Sequence, residues 1–541
     1  EGMLISPSIE RKVWFGQIRC VIADELHAFA VGDRGWHLRS VIHRLDRLAP
    51  ASVQRIGLSA TVADPQSLLA WFAPTGAREV VGSSRVTADA EVTIDHVRSL
   101  ENAALVISRL HRGEKRLVFC DSRTTAEKLG SGLHELGVRT FVSHASLSAS
   151  ARRHAESAFA EERDCVIVAT STLELGIDVG DLDRVIQIDA PSSVSSFLQR
   201  MGRSGRRTGT ARNCLFLTTS ETALLTAGAI ARLWSQGWVE AATPPVQPWN
   251  VMAQQALLRV IEHGLIPEST LLNDLQSAFP ELDAAGIRHV IGYLITHGQL
   301  ACPQEHLLQI GPTAQAEHER SHYRDLMVTF TGPDLLIGRH GSTEVGYLDP
   351  TVLQGGKPQE PLKLLLAGRS WSVREVDWKR RLVWLEPATQ GGKARWMGSG
   401  RGMSEEVAHA ILDLLLTGEV GAAKLSRRAV STLDELRDSW PTQTHPPALR
   451  STSASHHTMW TYAGTNANRR LQLAYRHQGA QGSDGLTLTW RIDPRLLGDL
   501  AANRPELSEP EIQELAQPFK FAELLPPEAV RRMVEGRLGL D

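Results

Sequence analysis

The chain has 541 residues, too many for one ordinary core, so about three or four domains are expected. Hydrophobic residues make up 42% and charged residues 22%, the balance of a globular protein. A net charge of −3 removes any global electrostatic argument for a polyanionic partner, so such a site must rest on local patches. No apolar run reaches the ~18–20 residues of a membrane span and no secretory leader is legible, so a cytoplasmic protein without membrane contact is expected. The five cysteines, Cys20, Cys120, Cys165, Cys214 and Cys302, are scattered without a CxxC pair. They are expected as reduced core thiols rather than as zinc ligands or disulfides.

In chain order, "RCVIA", "HLRSVIHRLDRLA", "VQRIGLSATV" and "PQSLLAWFA" read as strand, helix, strand, helix. After a link, "VVGSSRVTADAEVTID", a second unit alternates "RLVFCDS", "VRTFVSH", "DCVIVAT", "DRVIQIDA" and "NCLFLTT" with helical segments. Unbroken Val, Ile, Leu and Phe runs of this kind belong to parallel sheets buried on both faces. A Pro-rich joint then leads into "WNVMAQQALLRVIEHG", "ESTLLNDLQSAF" and "DAAGIRHVIGYLITHG", followed by the strand pair "QLACPQEHLLQIG". Three helices and a small hairpin describe a winged helix, or a generic helical linker. From Tyr323 short strands with Gly and Pro turns take over ("LMVTFTG", "TEVGYLDP", "PLKLLLAGRSWSVREVDWKRRLVWLEPA"), the pattern of a small barrel. Two further helices, "SEEVAHAILDLLLTG" and "SRRAVSTLDELRDSW", and a mixed tail complete the chain.

Chemistry concentrates at the strand ends. In "RCVIADELHAFA", Asp24 at the carboxyl end of a strand can hold Mg²⁺ through water, Glu25 can orient or deprotonate a water, and His27 can reach the next motif. The same residues could instead be a surface Asp-Glu pair capping a helix. Ser59 and Thr61 of "SAT" leave the next strand at the same edge, where their hydroxyls can bond toward that pair. "ATSTLELGIDVGD" places Thr170, Ser171, Gly176 and Asp178 just past another strand end, where open α/β sheets bind ligands. "QRMGRSGRR" puts Gln199, Arg200, Arg203 and Arg206 at spacings that align the arginines on one face if the segment is helical. Arginines so arranged suit triphosphate oxygens, and the glycines allow close approach.

The ordered set DExH, SAT, "VFCDSR", "ATSxLELGID" and "QRxGRxGR" resembles the superfamily 2 helicases, and more narrowly the large-helicase-related (Lhr) family. The likeness continues through "PPVQPWNVMAQQALL", "LLLAGRSWSVREVDWKRRLVWLEPA", "MWTYAGTNANRRL" and "KFAELLPPE", nearly the whole chain. It implies an α/β multidomain protein: a partial RecA-like domain at 1–84, a complete one at 85–228, a winged helix at 229–320 and a β-barrel-containing α+β module at 321–541. It further implies ATP with Mg²⁺, 3′-to-5′ movement on single-stranded DNA, and unwinding of duplex DNA or RNA:DNA hybrids in a repair context. RNA as the tracked strand stays open, because motor motifs grip mostly backbone.

By position, the likeness assigns Asp24 and Glu25 to metal binding and water activation, and Ser59 and Thr61 to coupling. Thr170, Gly176 and Asp178 fall on a motif touching nucleotide and strand, and Gln199, Arg203 and Arg206 on the γ-phosphate sensor. Arg123 falls on a strand-contacting motif, with Thr124 where relatives often carry a second Arg. Beyond the motor, Trp460 is either a base-stacking platform or a core tryptophan, with Asn468, Arg469 and Arg470 as polar contacts. Trp371, Trp378 and Trp384 are expected in the barrel core, and Lys379, Arg380 and Arg381 form a hairpin tip or track phosphate.

No GxxxxGK[ST] occurs; "GGKP" and "GGKA" lack the leading Gly, the Ser/Thr and a following helix. The first residue is Glu1, and "EGMLISPSIE" reads as the continuation of a Thr-Pro-Glu motif, so the first motor domain is expected to be partial, with an unpaired sheet edge. The expectation is a chain that does not hydrolyse ATP unaided. The alternative is a truncated, non-catalytic nucleic-acid-binding paralogue, and the reading frame upstream of Glu1 separates the two.

Overall fold

The computed structural model describes residues 1–59, 62–82, 90–174, 182–205, 210–329, 335–353, 362–388, 402–444, 447–453, 455–494 and 506–540. Strand β1 (Cys20–Ala23) and strand β2 (Gln54–Gly57) pair in parallel as a two-stranded sheet. One face is covered: Val21 and Ala23 pack with Leu26, Ala30, Ile42, Leu68 and Phe72 from the flanking helices. The alternation of a strand sends Cys20 and Ile22 to the other face, where Ile22 is 62% exposed. Val13, Trp14 and Leu58 are also exposed.

Strands β3 (Ala90–His96), β4 (Lys115–Phe119), β5 (Thr140–Ser143), β6 (Cys165–Ala169), β7 (Arg184–Ile188) and β8 (Arg212–Thr218) build the second sheet. β3 occupies the segment expected to be a link. With the short strand 424–425 (β17 below) at one edge, the order is β17-β3-β8-β7-β4-β6-β5 and every pairing is parallel. Both faces are dry. Leu117, Phe119, Ile167 and Phe216 enter one core cluster, while Val118, Val166, Val168 and Ile186 enter another. Double-sided burial is why these strands read as continuous apolar runs.

The boundary expected at 228–229 falls inside the helix Glu221–Ser235, whose Gly228 lets Leu414 approach: a Cβ there would sit 2.5 Å from Leu414 Cδ2. Helices Trp249–His263, Glu268–Ala278 and Ala284–Thr296 follow. They stand with β9 (Ile266–Pro267), β10 (Leu300–Gln304) and β11 (Leu307–Ile310) in a sheet of order β10-β11-β9, the arrangement of a winged helix. The stretch expected as the strand "LMVTFTG" instead begins with a 3₁₀ turn, Arg324–Met327, and its end lies outside the described residues.

Five strands follow: β12 (Leu336–His340), β13 (Thr343–Leu348), β14 (Lys363–Leu366), β15 (Arg369–Asp377) and β16 (Leu382–Pro387), in the order β13-β12-β16-β15-β14. The sheet curls, because residues from both edge strands share one core cluster and a Cβ on Gly346 would lie 3.3 Å from Leu366 Cδ1. β17 (Lys424–Leu425) returns to the large sheet, and β18 (Leu449–Ser453), β19 (His456–Trp460), β20 (Ala480–Ser483) and β21 (Thr487–Trp490) form a last antiparallel sheet.

The chain divides into two compact units: Glu1–Gly82 with Ala241–Gly332 and Ala501–Asp541, and Ser83–Glu240 with Pro333–Leu500. In the first, the helix Asp33–Leu48 meets the winged helix through buried charge: Arg44 pairs with Glu262 at 2.8 Å, and Arg259 pairs with Glu262 at 2.8 Å and with Asp274. Charges at this depth are paired with opposite charges, as burial demands. Arg537 of the last helix reaches Asp33 at 2.6 Å.

In the second unit, Glu127 fastens the five-stranded sheet to the large one. Its carboxylate, fully buried, bonds His144 Nε2 at 2.7 Å and accepts from the backbone N–H groups of Ala367 (2.6 Å) and Gly368. Both turn residues are left-handed, with φ of 59° and 70°. Ser148 N donates to Val345 O at 3.3 Å beside this contact, so backbone also bridges the seam.

No helix among the described residues is long and apolar enough to cross a membrane. Cys120, Cys165 and Cys214 are buried, but Cys20 and Cys302 are exposed, against the expectation of core thiols. Cys20 lies on the uncovered face of β1, and Cys302 on the outer strand of the wing.

Candidate functional site

β1 ends at Ala23, and the ladder runs past the strands: Leu58 N donates to Ala23 O at 2.8 Å and Leu26 N to Leu58 O at 2.9 Å. This holds the two strand exits side by side. Asp24 is exposed, and its Oδ1 accepts from Glu25 N at 2.9 Å. Glu25 adopts φ 51°, a left-handed conformation uncommon for a residue with a side chain and therefore held by its surroundings. The helix Leu26–Ala30 starts immediately after it and tucks His27 inward, 6% exposed. His27 Nδ1 bonds Ser59 Oγ at 2.6 Å and stands 3.6 Å from Glu25 Oε2. His27 therefore links the two strand ends through its hydrogen bond to Ser59, with the Glu25 carboxylate close by but not hydrogen-bonded to it. Thr61 lies outside the described residues. A Cβ at Gly57 would come 2.5 Å from Leu26 Cδ2, so a larger residue there would push the Leu26 side chain aside.

The second cluster sits at the carboxyl ends of β4, β6 and β7. The helix Val194–Met201 carries Gln199 and Arg200 and ends before Arg203, so the helical alignment of arginines expected from the sequence does not extend to it. Arg200 is a buried hub: Nη1 reaches Asp121 Oδ1 and Gln187 Oε1 at 2.6 Å, Nε reaches Glu174 Oε1 at 2.7 Å, and the group lies 5.2 Å over the Phe119 ring. Burial alone would depress its pKa, but Asp121 and Glu174 outweigh it and hold Arg200 above its ordinary value. Burial likewise raises the Asp121 carboxyl, against the pull of Arg200. Arg203, 9% exposed, donates to the carbonyl of Glu174. Gly176, Asp178 and Arg206 lie outside the described residues.

Thr170 is buried, its N–H on Ser143 O at 3.2 Å, and Ser171 is exposed. Arg123 opens the helix Arg123–Glu135 and donates to Ser146 Oγ at 2.8 Å; burial lowers its pKa while Asp349 opposes the shift. Sequence reading missed Glu240, whose carboxylate accepts from Val194 N (2.7 Å) and Ser195 N (2.9 Å) and so caps the helix carrying Gln199. Only its position in space connects it to that motif.

Trp460 packs inward on the large core with its indole nitrogen buried, and Asn468 is fully buried, bonding Thr461 at 2.6 Å and Asp484 O at 2.8 Å. Asn468 presents no surface, Trp460 is half-buried, and Arg469 is exposed. Trp371 is buried and Trp384 half-buried, but Trp378 is 59% exposed. It stands with exposed Lys379, Arg380 and Arg381 on the turn between β15 and β16. That turn is rigid: Arg380 N donates to Asp377 Oδ1 at 3.0 Å, and Arg381 O accepts from Ile337 N at 2.8 Å. An indole among cations on a fixed tip is the chemistry that stacks a base and meets its phosphate. The sequence reading expects Trp378 in the core, but it stands an odd seven residues from buried Trp371 and one residue past the end of the strand.

Residues 1–68 match the DEAD/DEAH box helicase family and residues 96–208 the helicase conserved C-terminal domain. The chain is 27% identical over 478 residues to an Lhr helicase/probable uracil glycosylase of Mycolicibacterium smegmatis, covering 76% of this chain and 31% of that relative. It is also 27% identical over 476 residues to the Lhr helicase/uracil glycosylase of Escherichia coli, covering 74% of this chain and 30% of that one. The chain thus spans about a third of the length of the curated relatives it matches. Among solved structures, Mycobacterium smegmatis helicase Lhr bound to ssDNA and AMP-PNP superposes with a TM-score of 0.68 at 22% identity, over 99% of this chain and 71% of that one. The DUF1998 helicase MrfA bound to DNA follows at 0.54 and 18% identity, over 72% and 53%. The chain is a homologue of the Lhr helicases, and its α/β architecture is theirs.

Proposed function

We propose that this chain is the strand-engaging part of an ATP-dependent, 3′-to-5′ DNA helicase of the Lhr type, acting on single-stranded DNA and on duplex DNA or RNA:DNA hybrids. The observation that carries the reading is the link at the first sheet, where buried His27 bonds Ser59 across two strand ends beside Glu25 and an exposed Asp24. A surface Asp-Glu pair needs no buried histidine behind it. Coupling of nucleotide state to a neighbouring motif needs such a link.

Mg²⁺ fits this donor set only together with a nucleotide. Among the described residues no group of His, Cys, Asp and Glu could hold a metal ion by itself, and Asp24 offers a single carboxylate. Bound there with the triphosphate, the ion would neutralise charge on the transferring phosphoryl oxygens. Glu25 would orient the attacking water, and His27 would hand a change at Glu25 to Ser59. For the second unit, taken by itself, we carry over the γ-phosphate-sensing role of Gln199 and Arg203, with Arg206 beyond the described residues. The strand would run over Arg123, Thr170, Ser171 and Arg469, and Trp378 takes the stacking role expected of Trp460.

No GxxxxGK[ST] loop lies within the 541 residues, so the purified chain alone should show no DNA-stimulated phosphate release. Release above background in a malachite green assay would overturn that statement. Binding to a fluorescent oligothymidylate, with steep salt dependence, tests the strand-engaging reading; no binding at 25 mM salt would overturn it.

A further inference from the structure

The helix Ala284–Thr296 of the winged helix carries two glycines, and only one is explained from inside the fold. A Cβ at Gly286 would strike Trp249 Cη2 at 2.4 Å, so packing demands a bare backbone there. Gly292 has no such reason. It is exposed, lies well inside the helix, and a Cβ on it would meet nothing within 4 Å. Glycine in an exposed helix interior is less stable than alanine. The helix gives up that stability with no gain in its own packing, which points to something outside that comes close to its backbone.

Gly292 is the middle of a polar strip. Ile287, Val290, Ile291 and Leu294 take the buried side, so Arg288, Gly292 and Thr296, each about a turn from the next, follow the exposed side. Among the described residues Arg288 has no hydrogen-bond or ion-pair partner. Thr296 Oγ1 donates to Gly292 O at 2.9 Å, which keeps the hydroxyl down on the helix. Alongside, the Tyr293 and His297 rings stack at 3.8 Å between centroids, and His297 Nδ1 bonds Tyr293 O at 2.9 Å, so a flat wall is already in place. Two acids beside the helix are engaged: Asp283 accepts from Gly286 N at 2.7 Å and pairs with Arg532 at 2.8 Å, and Glu528 stands 3.7 Å from His289. Asp283 closes the start of the helix to an anion, which leaves its side.

We infer that this side of the helix is a docking face for duplex DNA, entering the major groove with its backbone closest at Gly292, Arg288 on a phosphate, and Tyr293 and His297 against the groove wall. A helix about 10–12 Å across matches a groove about 12 Å wide, whereas a lone strand offers no such trough. None of the exposed large apolar side chains lies on this helix, so it lacks the anchors of a protein interface. The inference rests on the strand-engaging reading and names the element that holds the unopened duplex.

The test compares binding of a blunt DNA duplex and of oligothymidylate by the full chain and its variants. Gly292→Gln should weaken duplex binding about tenfold, as a lost base contact does, and leave oligothymidylate binding unchanged. Its Tm should match or exceed that of the parent, because glutamine is the better helix former, so weaker binding cannot come from unfolding. Arg288→Ala should reduce the log–log salt slope of duplex binding by about 0.9, the share of one phosphate, and Arg288→Lys should restore it. Parent duplex affinity in Gly292→Gln, a parent slope in Arg288→Ala, or equal losses on both ligands would overturn the docking face and leave strand engagement standing. Oligothymidylate binding without duplex binding by the unaltered chain would do the same, whereas absence of oligothymidylate binding would overturn the reading beneath it.

Discussion

The two parallel sheets carry their motifs in the same place, at the carboxyl ends of strands, yet are built to different completeness. The seven-stranded sheet is dry on both faces, and Arg200 at its strand ends is buried among Glu174, Gln187 and the more exposed Asp121. The two-stranded sheet is covered on one face only, and its other face presents Ile22 and, beside the strands, Trp14 and Leu58 to water. Parallel strands are ordinarily buried twice. The link from His27 to Ser59 forms nonetheless, because it depends on the ladder between β1 and β2 and on the covered face. Site geometry is thus more local than the stability of the sheet that bears it.

Four measurements would break or sharpen that contrast. The largest effect is expected for Arg200→Ala, which leaves Asp121 and Glu174 facing each other without a cation. It should lower the stability of the second unit by about 3–5 kcal/mol in urea unfolding, and a loss below 1 kcal/mol would show the hub to be solvated. Leu117→Ala, in the core of β4, should remove about 2–5 kcal/mol from the same transition.

A smaller effect concerns the helix Asp33–Leu48 beneath the first sheet. Burial, followed by repulsion from Arg47, Arg55 and Arg259 and opposed by Asp46, holds the His43 imidazole down at about 4, against 6.5 when unfolded. Between those values the unfolded chain binds the extra proton. The contribution is complete above pH 6.5 and is lost as pH falls toward 4. His43→Gln should flatten that part of the pH–stability curve, and an unchanged curve would rule His43 out as its source. The smallest effect is expected for Ile22→Asp: on the uncovered face it should change stability by no more than about 0.5 kcal/mol and reduce binding of a hydrophobic dye. Destabilisation as large as that of Leu117→Ala would mean the two sheets are equally closed.

Much of this organisation is legible in the residues. Apolar runs such as "RLVFCDS" and "DCVIVAT" announce β4 and β6 because both faces of those strands are buried, and the hydrophobic spacing of "SEEVAHAILDLLLTG" marks the helix Glu405–Thr417. β3 was hidden because "AEVTID" mixes acids and Thr into its run, and its place comes from pairing with β8, a partner far along the chain. At the site, the contact of His27 with Ser59 agrees with the reading of "DELH" in which His27 reaches the next motif. The hub formed by Arg200, Asp121, Glu174 and Gln187, and the cap from Glu240, draw on four separate segments that no periodicity joins. The tryptophans mislead for a related reason. Alternation tells which side of a strand a residue occupies, but Trp378 lies past the strand end, where alternation has no meaning.

Glu127 grips the five-stranded sheet by two main-chain N–H groups and touches none of that turn's side chains through those bonds. The turn can therefore drift in sequence, provided positions 367 and 368 keep left-handed backbone, while the seam persists. Among homologues the acid and His144 should vary together, and their partners in the turn should show only a preference for small residues and glycine.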